Sequence, residues 1–198
     1  TLIPTTFSST TGPNFISAGP VEVQGDNAFG RGTTTIADGA GLRINPTTKS
    51  LSVGLFNNFV VAGNGFVAPP NTNAVSTKGV IELVPGTNAT ITGNLTLTNS
   101  ITIDVETGSV LTIDGVVDED AAGVKYNITK TGDGILRLAG TSANLLDGDI
   151  IVLGGAVDLG KTDAAGTGLI QVENGGSIFV SGGNTPGAAT IITNAIQV

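Results

Sequence analysis

Four acidic side chains, Asp114, Asp118, Glu119 and Asp120, crowd into the stretch "DGVVDEDAAG", and hard oxygen ligands of this kind are what Ca²⁺ takes. The spacing matches neither a calcium-binding helix–loop–helix nor a GGxGxD coil repeat, so the stretch reads first as a solvated acidic turn. Weak calcium binding at Asp118, Glu119 and Asp120 is the sharper alternative. In "LLDGDI", Asp147 and Asp149 flank Gly148, and a turn is again the better reading. "TGDGI" and "GRG" lie between strands rather than ahead of a helix, which is the wrong place for a phosphate cradle. Arg137 alternates with Leu136 and Leu138, so it should point away from both, into solvent beside Asp133 or Asp149. No carboxylate pair with a supporting basic residue stands out. The sequence therefore predicts no catalytic residue, no cofactor and no metal site. A polysaccharide-active β-helix enzyme is only a remote alternative. The Asn-x-Thr triplets at Asn88, Asn94 and Asn127 read as outward strand positions in a Thr-rich chain rather than as glycosylation sites.

Composition narrows the chemistry further. The 198 residues include no Cys, Met or His, which excludes disulfides, thiolate or imidazole metal sites and histidine proton transfer. Sixteen acidic residues against 8 basic ones make nucleic acid an improbable partner, because affinity for phosphate comes from clustered Lys and Arg. No apolar run reaches the ~18 to 20 residues of a spanning helix, so this segment is not expected to insert into a membrane. A chain that opens at Thr1 and has no Met reads as a mature or excised piece of something longer.

These residues need elements to hold them, and the elements read as strands. Thirty Gly, 8 Pro and only 12% charged residues, against about 25% in an average globular chain, accompany many β-branched Val and Ile. "VIELV", "ATITGNLTLTNSITIDVETGSVLTIDGVV", "ILRLAG", "DIIVLGGAVDLG" and "LIQVENGGSIFV" alternate apolar with polar or small residues, the period of a strand. Turn pairs such as Gly93-Asn94, Asn99-Ser100, Thr107-Gly108, Gly154-Gly155 and Asn174-Gly175 separate them. Strand spacing alone fits a β-sandwich as well as a solenoid.

Internal repetition favours the solenoid. Aligned at one constant offset, residues 20–44 match residues 156–180 without a gap. Gly30 falls on Gly166, Gly32 on Gly168, Gly39 on Gly175 and Ala28 on Ala164. The apolar positions Val21, Val23, Ile36, Leu42 and Ile44 fall on Val157, Leu159, Val172, Ile178 and Val180, and all ten are expected to point inward. A repeated supersecondary unit cannot bury its own hydrophobic face and does so by stacking. The fold expected is all-β, a right-handed parallel β-helix (β-solenoid) over 14–198, with an extended arm at 1–13 and a projecting loop around 63–79. With roughly 20 to 25 residues per coil and about 4.8 Å between coils, eight or nine coils would make a rod of order 40 Å. Gly30, Gly39, Gly134, Gly166 and Gly175 are placed at its corners.

Residues 111–180 also resemble the passenger-associated repeat of bacterial autotransporters and related giant surface proteins. Lys130, Thr131, Gly132, Gly134, Leu136, Leu138 and Gly140 follow its "KTGxGxLxLxG" pattern; Gly148, Gly154 or Gly155, Leu159 and Gly160 follow the next part. Gly166, Gly168, Val172, Gly175 and Val180 follow the third, and the run 181–198 is similar to what often comes after. Asn144 and Asp147 depart from it where an aromatic residue is common. The resemblance implies a parallel β-helix displayed at the surface of a Gram-negative-type bacterial cell or secreted from it, without catalytic activity of its own.

The function expected is therefore a non-enzymatic extracellular structural β-solenoid, part of a fibre whose partners are other copies or flanking repeats stacked end to end. The run 190–198 is uncharged and rich in β-formers, and it reads as an edge awaiting a cover. The alternative is an adhesin-like autotransporter passenger segment that binds a host or abiotic surface, surface glycans included, through loops.

Overall fold

The structure, a computed structural model of the chain, describes residues 11–48, 52–173, 175–181 and 192–198. The alternating stretches fold into short strands that wind in successive coils. β1 (Asn14–Ile16) and β2 (Gly19–Val23) make the first coil; β3 (Thr34–Ile36), β4 (Ala40–Ile44) and β5 (Ser52–Leu55) make the second. β6 (Phe59–Gly63), β7 (Ile81–Leu83) and β8 (Asn88–Ile91) follow, then β9 (Leu95–Val105) with β10 (Val110–Ile113). β11 (Val117–Glu119), β12 (Ile128–Thr131) and β13 (Ile135–Leu138) form the fifth coil. β14 (Ile150–Val152) with β15 (Gly155–Leu159), β16 (Ile170–Val172) with β17 (Gly176–Phe179), and β18 (Ile196–Gln197) complete about eight coils.

Every strand pair among the described residues is parallel, which rules out the antiparallel sandwich and makes the chain a β-solenoid. The coils define three faces. The first carries β1, β3, β6, the start of β9 and β11; the second carries β2, β4, β7, the end of β9, β12, β14, β16 and β18. Because β9 runs through a corner, these two faces merge into one 12-stranded sheet, while β5, β8, β10, β13, β15 and β17 form a separate 6-stranded sheet. Register pairs measure the coil: Ile135 meets Ala156, 21 residues on, and Val110 meets Ile135, 25 on.

Alternation puts every second side chain inside, where equivalent positions stack. Leu55, Ile91, Ile113, Leu138 and Leu159 form one column; Ile101, Ile128, Ile150 and Ile170 form another. Full burial of each contributes about 1.5 to 3 kcal/mol, against roughly 1 to 2 kcal/mol of backbone entropy per ordered residue, so the coils are stable only together.

Side-chain oxygens set the corners. At the start of the second face, the Asn127 N–H donates to Ser100 Oγ (3.0 Å), the Asp149 N–H to Asn127 Oδ1 (2.9 Å) and the Leu169 N–H to Asp149 Oδ1 (2.9 Å). The Asn94 N–H donates to Asn58 Oδ1 and the Val116 N–H to Asn94 Oδ1, while Asn88 Oδ1 accepts from Val110 at the third face. Backbone groups with no partner in their own coil are thus satisfied by the coil before. This is the place of all three Asn-x-Thr asparagines.

The repeat legible in the sequence recurs as local structure. β1 to β4 correspond to β14 to β17; Asn27 and Asp163 share φ of 49° and 51°, and Gly30 and Gly166 φ of 72° and 63°. The Gly30 and Gly166 N–H groups close the same turn onto the carbonyls of Asn27 (3.0 Å) and Asp163 (3.1 Å). The second copy is turned by one face: β1 and β3 lie on the first face, whereas β14 and β16 lie on the second. Gly134, also placed at a corner, has an ordinary φ, but a Cβ there would lie 2.3 Å from the Glu106 carbonyl oxygen.

The inward set follows expectation except at its end. Val23, Ile36, Leu42, Ile44, Val157 and Leu159 are buried, and Val21, Val172 and Ile178 are partly buried in outer coils. Val180 is 49% exposed, a correction with a plain cause: no strand among the described residues covers the outer edge of β17. Residues 67–76 project from the rod, nearly all exposed, and the loop is pinched at its base where Thr77 N–H donates to the Phe66 carbonyl and Phe66 N–H to Thr77 Oγ1, both at 2.8 Å. Most of the expected N-terminal arm, and residues 190 and 191 of the expected C-terminal edge, lie outside the described residues.

Candidate functional site

The acidic stretch singled out in the sequence does not converge. Glu119 alternates inward and is buried, and its carboxylate accepts from the N–H groups of Asp147 (3.0 and 3.1 Å) and Gly148 (2.9 Å). A carboxylate so occupied acts as a corner post. Asp118 accepts from the Glu119 N–H, and Asp114 and Asp120 are exposed. Asp147 accepts from Thr167 Oγ1 and Asp149 serves the corner ladder. In "TGDGI" the Gly134 N–H is spent on the Val105 carbonyl and the Ile135 N–H on the Ser109 carbonyl. Arg137 is half exposed, as expected, but its partner is neither Asp133 nor Asp149. Nε donates to Asp158 Oδ2 at 2.6 Å, because the parallel register puts Asp158 beside it one coil on.

A different group of side chains comes together on the second face. Register aligns Glu22, Arg43, Glu82, Asp104 and Thr131 in one outward column over five coils. Arg43 Nε stands 3.8 Å from Glu22 Oε2 and 3.9 Å from Glu82 Oε1, ion pairs too long for hydrogen bonds. Thr131 Oγ1 donates to Asp104 Oδ1 at 2.7 Å. Glu106, two residues past Asp104, joins from the corner after β9, and its carboxylate is paired with the Lys78 ammonium at the base of the projecting loop.

One carboxylate oxygen from each of Glu82, Asp104 and Glu106 lies within 4.8 Å of the others. Glu82 and Asp104 are each only 3% exposed, and Glu82 Oε2 and Asp104 Oδ2 are fully buried without a hydrogen-bond partner. Burial, the largest cause, pushes both carboxyls above their ordinary range, opposed at Glu82 by the Arg43 charge and at Asp104 by the Thr131 hydrogen bond. The Glu106 hydrogen bond holds the Lys78 ammonium above its usual value.

Beneath this column, on the inner side of β12, a cation interrupts an apolar stack. Lys130 occupies the column of Val21, Leu42, Ile81, Ile103, Val152 and Val172. Its Nζ donates to the carbonyls of Thr131 (2.5 Å), Gly132 (2.8 Å) and Gly154 (3.3 Å), and burial lowers its pKa to about 8. The Lys161 ammonium, in the loop after β15, donates to the Gly115 carbonyl at 3.1 Å and is likewise lowered to about 8 by burial.

Fold and site together define a parallel β-solenoid with a buried carboxylate cluster at the foot of one loop. No family model matches the chain, and no curated protein or solved structure does. Among the described residues no helix is long and apolar enough to cross a membrane.

Proposed function

We propose that the chain is a non-enzymatic structural segment of a bacterial cell-surface or secreted fibre, with its coils continued end to end by another copy or by flanking repeats. The observation that carries this reading is the pair of open ends on an otherwise continuous stack. Among the described residues β17 and β18 each have a strand on one side only, with Phe179, Val180, Ile196 and Val198 exposed around them. At the other end, Phe15 on β1 is 72% exposed. A parallel edge bordered by apolar side chains is a template for further strands, and a head-to-tail contact of this kind propagates rather than closes. The resemblance of residues 111–180 to autotransporter passenger repeats supports an extracellular setting.

The projecting loop favours a second reading, an adhesin-like passenger segment whose contacts with glycans or a host surface lie on residues 67–76. One experiment separates the two. Electron microscopy of the parent, of a chain lacking residues 1–11 and of Ile196→Lys is expected to show end-to-end rods in the parent and short particles in both variants. Ile196 is half exposed, so the charge blocks the edge without entering the core. A parent that stays a dispersed monomer, or variants that polymerise as it does, would overturn the fibre reading and leave the adhesin.

A further inference from the structure

We propose that Glu82, Asp104 and Glu106 form a divalent-cation site, suited to Ca²⁺, that fastens the foot of the projecting loop to the rod. One oxygen from each carboxylate lies within 4.8 Å of the other two, a span that two Ca–O bonds of about 2.4 Å bridge. An ion among them touches one ligand from the third coil and two from the fourth. Waters fill its remaining positions on the side of Glu106, which is only partly buried.

The buried oxygens supply the need for a cation. Glu82 Oε2 and Asp104 Oδ2 are removed from solvent with no donor on either, and a buried charge without a partner is not sustained. The neighbouring cations leave this need unmet. Arg43 approaches only the other oxygen of Glu82, at 3.9 Å, and the Lys130 ammonium is engaged with three carbonyls on the inner side. Lys78 reaches Glu106, but its side chain is 61% exposed and free to swing outward. It stands at the mouth as a weak, displaceable competitor for the ion.

Position gives the site a role. Lys78 through Val80 lead directly from the loop into β7, which carries Glu82, and Asp104 and Glu106 belong to the next coil. A cation here crosslinks two coils where residues 64–80 leave the rod, and the setting of the loop becomes dependent on calcium. None of this rests on the fibre reading, because the response belongs to the single chain.

The test is calorimetric titration of chelator-treated full chain with CaCl₂, and separately with MgCl₂, at pH 7.5, together with melting curves. One Ca²⁺ per chain and a melting midpoint raised by several degrees at saturating Ca²⁺ are expected. Asp104→Asn and Glu106→Gln should each weaken Ca²⁺ about tenfold or more, since affinity follows the charge and number of ligands. Lys78→Met should tighten it by removing the competitor, and Asp118→Asn with Asp120→Asn should leave it unchanged. The circular dichroism of each variant shows that it has folded. The proposal is overturned if neither the parent nor Lys78→Met binds Ca²⁺, or if the response disappears in the Asp118 and Asp120 variant instead. It is equally overturned if acidification stabilises the chain while Ca²⁺ does nothing, because a proton then neutralises the pair.

Discussion

The two copies of the repeat, 19–44 and 155–180, share backbone but not burial. Each has a positive-φ glycine opening its first strand, Gly19 and Gly155, and another before its last, Gly39 and Gly175. Each closes the same turns, with the Ala40 N–H on the Ala37 carbonyl and the Gly176 N–H on the Glu173 carbonyl. Yet Leu42 and Ile44 are fully buried, Ile178 is partly so and Val180 is half exposed. Conformation is local, written by glycines and alternation within one unit. Burial is not; it belongs to the neighbouring coil, and β4 lies between β2 and β7 while β17 has β15 alone.

The widest separation between the copies is expected in the core. Ile44→Ala should cost about 2 to 5 kcal/mol in denaturant unfolding, as a cavity in a closed column does. Val180→Ala should stay within about 0.5 kcal/mol. Equal costs would mean that Val180 is covered in the native protein, which removes the contrast and strengthens the end-to-end reading.

A smaller contrast lies at one loop position, Gly25 in the first copy and Lys161 in the second. The folded-state pKa of Lys161 is lowered to about 8 from 10.5, so between those values the unfolded chain holds the proton that the folded chain has released. Stability relative to Lys161→Met should therefore rise with pH across that window, by at most about 1.4 kcal/mol per pH unit, with the penalty fully present below it. A flat difference between pH 8 and 10.5 would show that the ammonium reaches water.

The smallest separation is expected at the corner glycines, where the effect should be the same in both copies. Gly39 and Gly175 have φ of 77° and 94°, and a Cβ at either meets nothing closer than 3.8 Å, so only backbone strain opposes alanine. Gly39→Ala and Gly175→Ala should each cost about 1 to 2 kcal/mol. Markedly unequal costs would break the claim that the units share a locally encoded backbone.

The same division explains what the sequence made legible. Alternation and the glycine-spaced repeat are properties of single units, and they foretold parallel coils and the inward columns. The carboxylate cluster was out of reach because Glu82 and Asp104 meet only through a register that spacing along one strand does not reveal. Arg137 met Asp158 for the same reason. The acids at 114–120 read as a solvated turn, and Asp114 and Asp120 are exposed, but alternation turned Glu119 inward, onto backbone groups. The exposure of Val180 depends on a neighbouring coil that no residue of its own unit specifies.

The corner ladders of Asn, Asp and Ser have a geometric consequence. Each oxygen reaches one coil and no further, so the spacing along the axis is fixed rung by rung, whatever the chain does between rungs. The coil from Ser52 to Asn88 takes 36 residues where the next, Asn88 to Val110, takes 22, yet both pairs sit in the same sheet in unbroken register. The rod is a ruler graduated in turns rather than in residues. Sequence added at a corner lengthens the outline of the molecule sideways, and the distance between its two ends does not change.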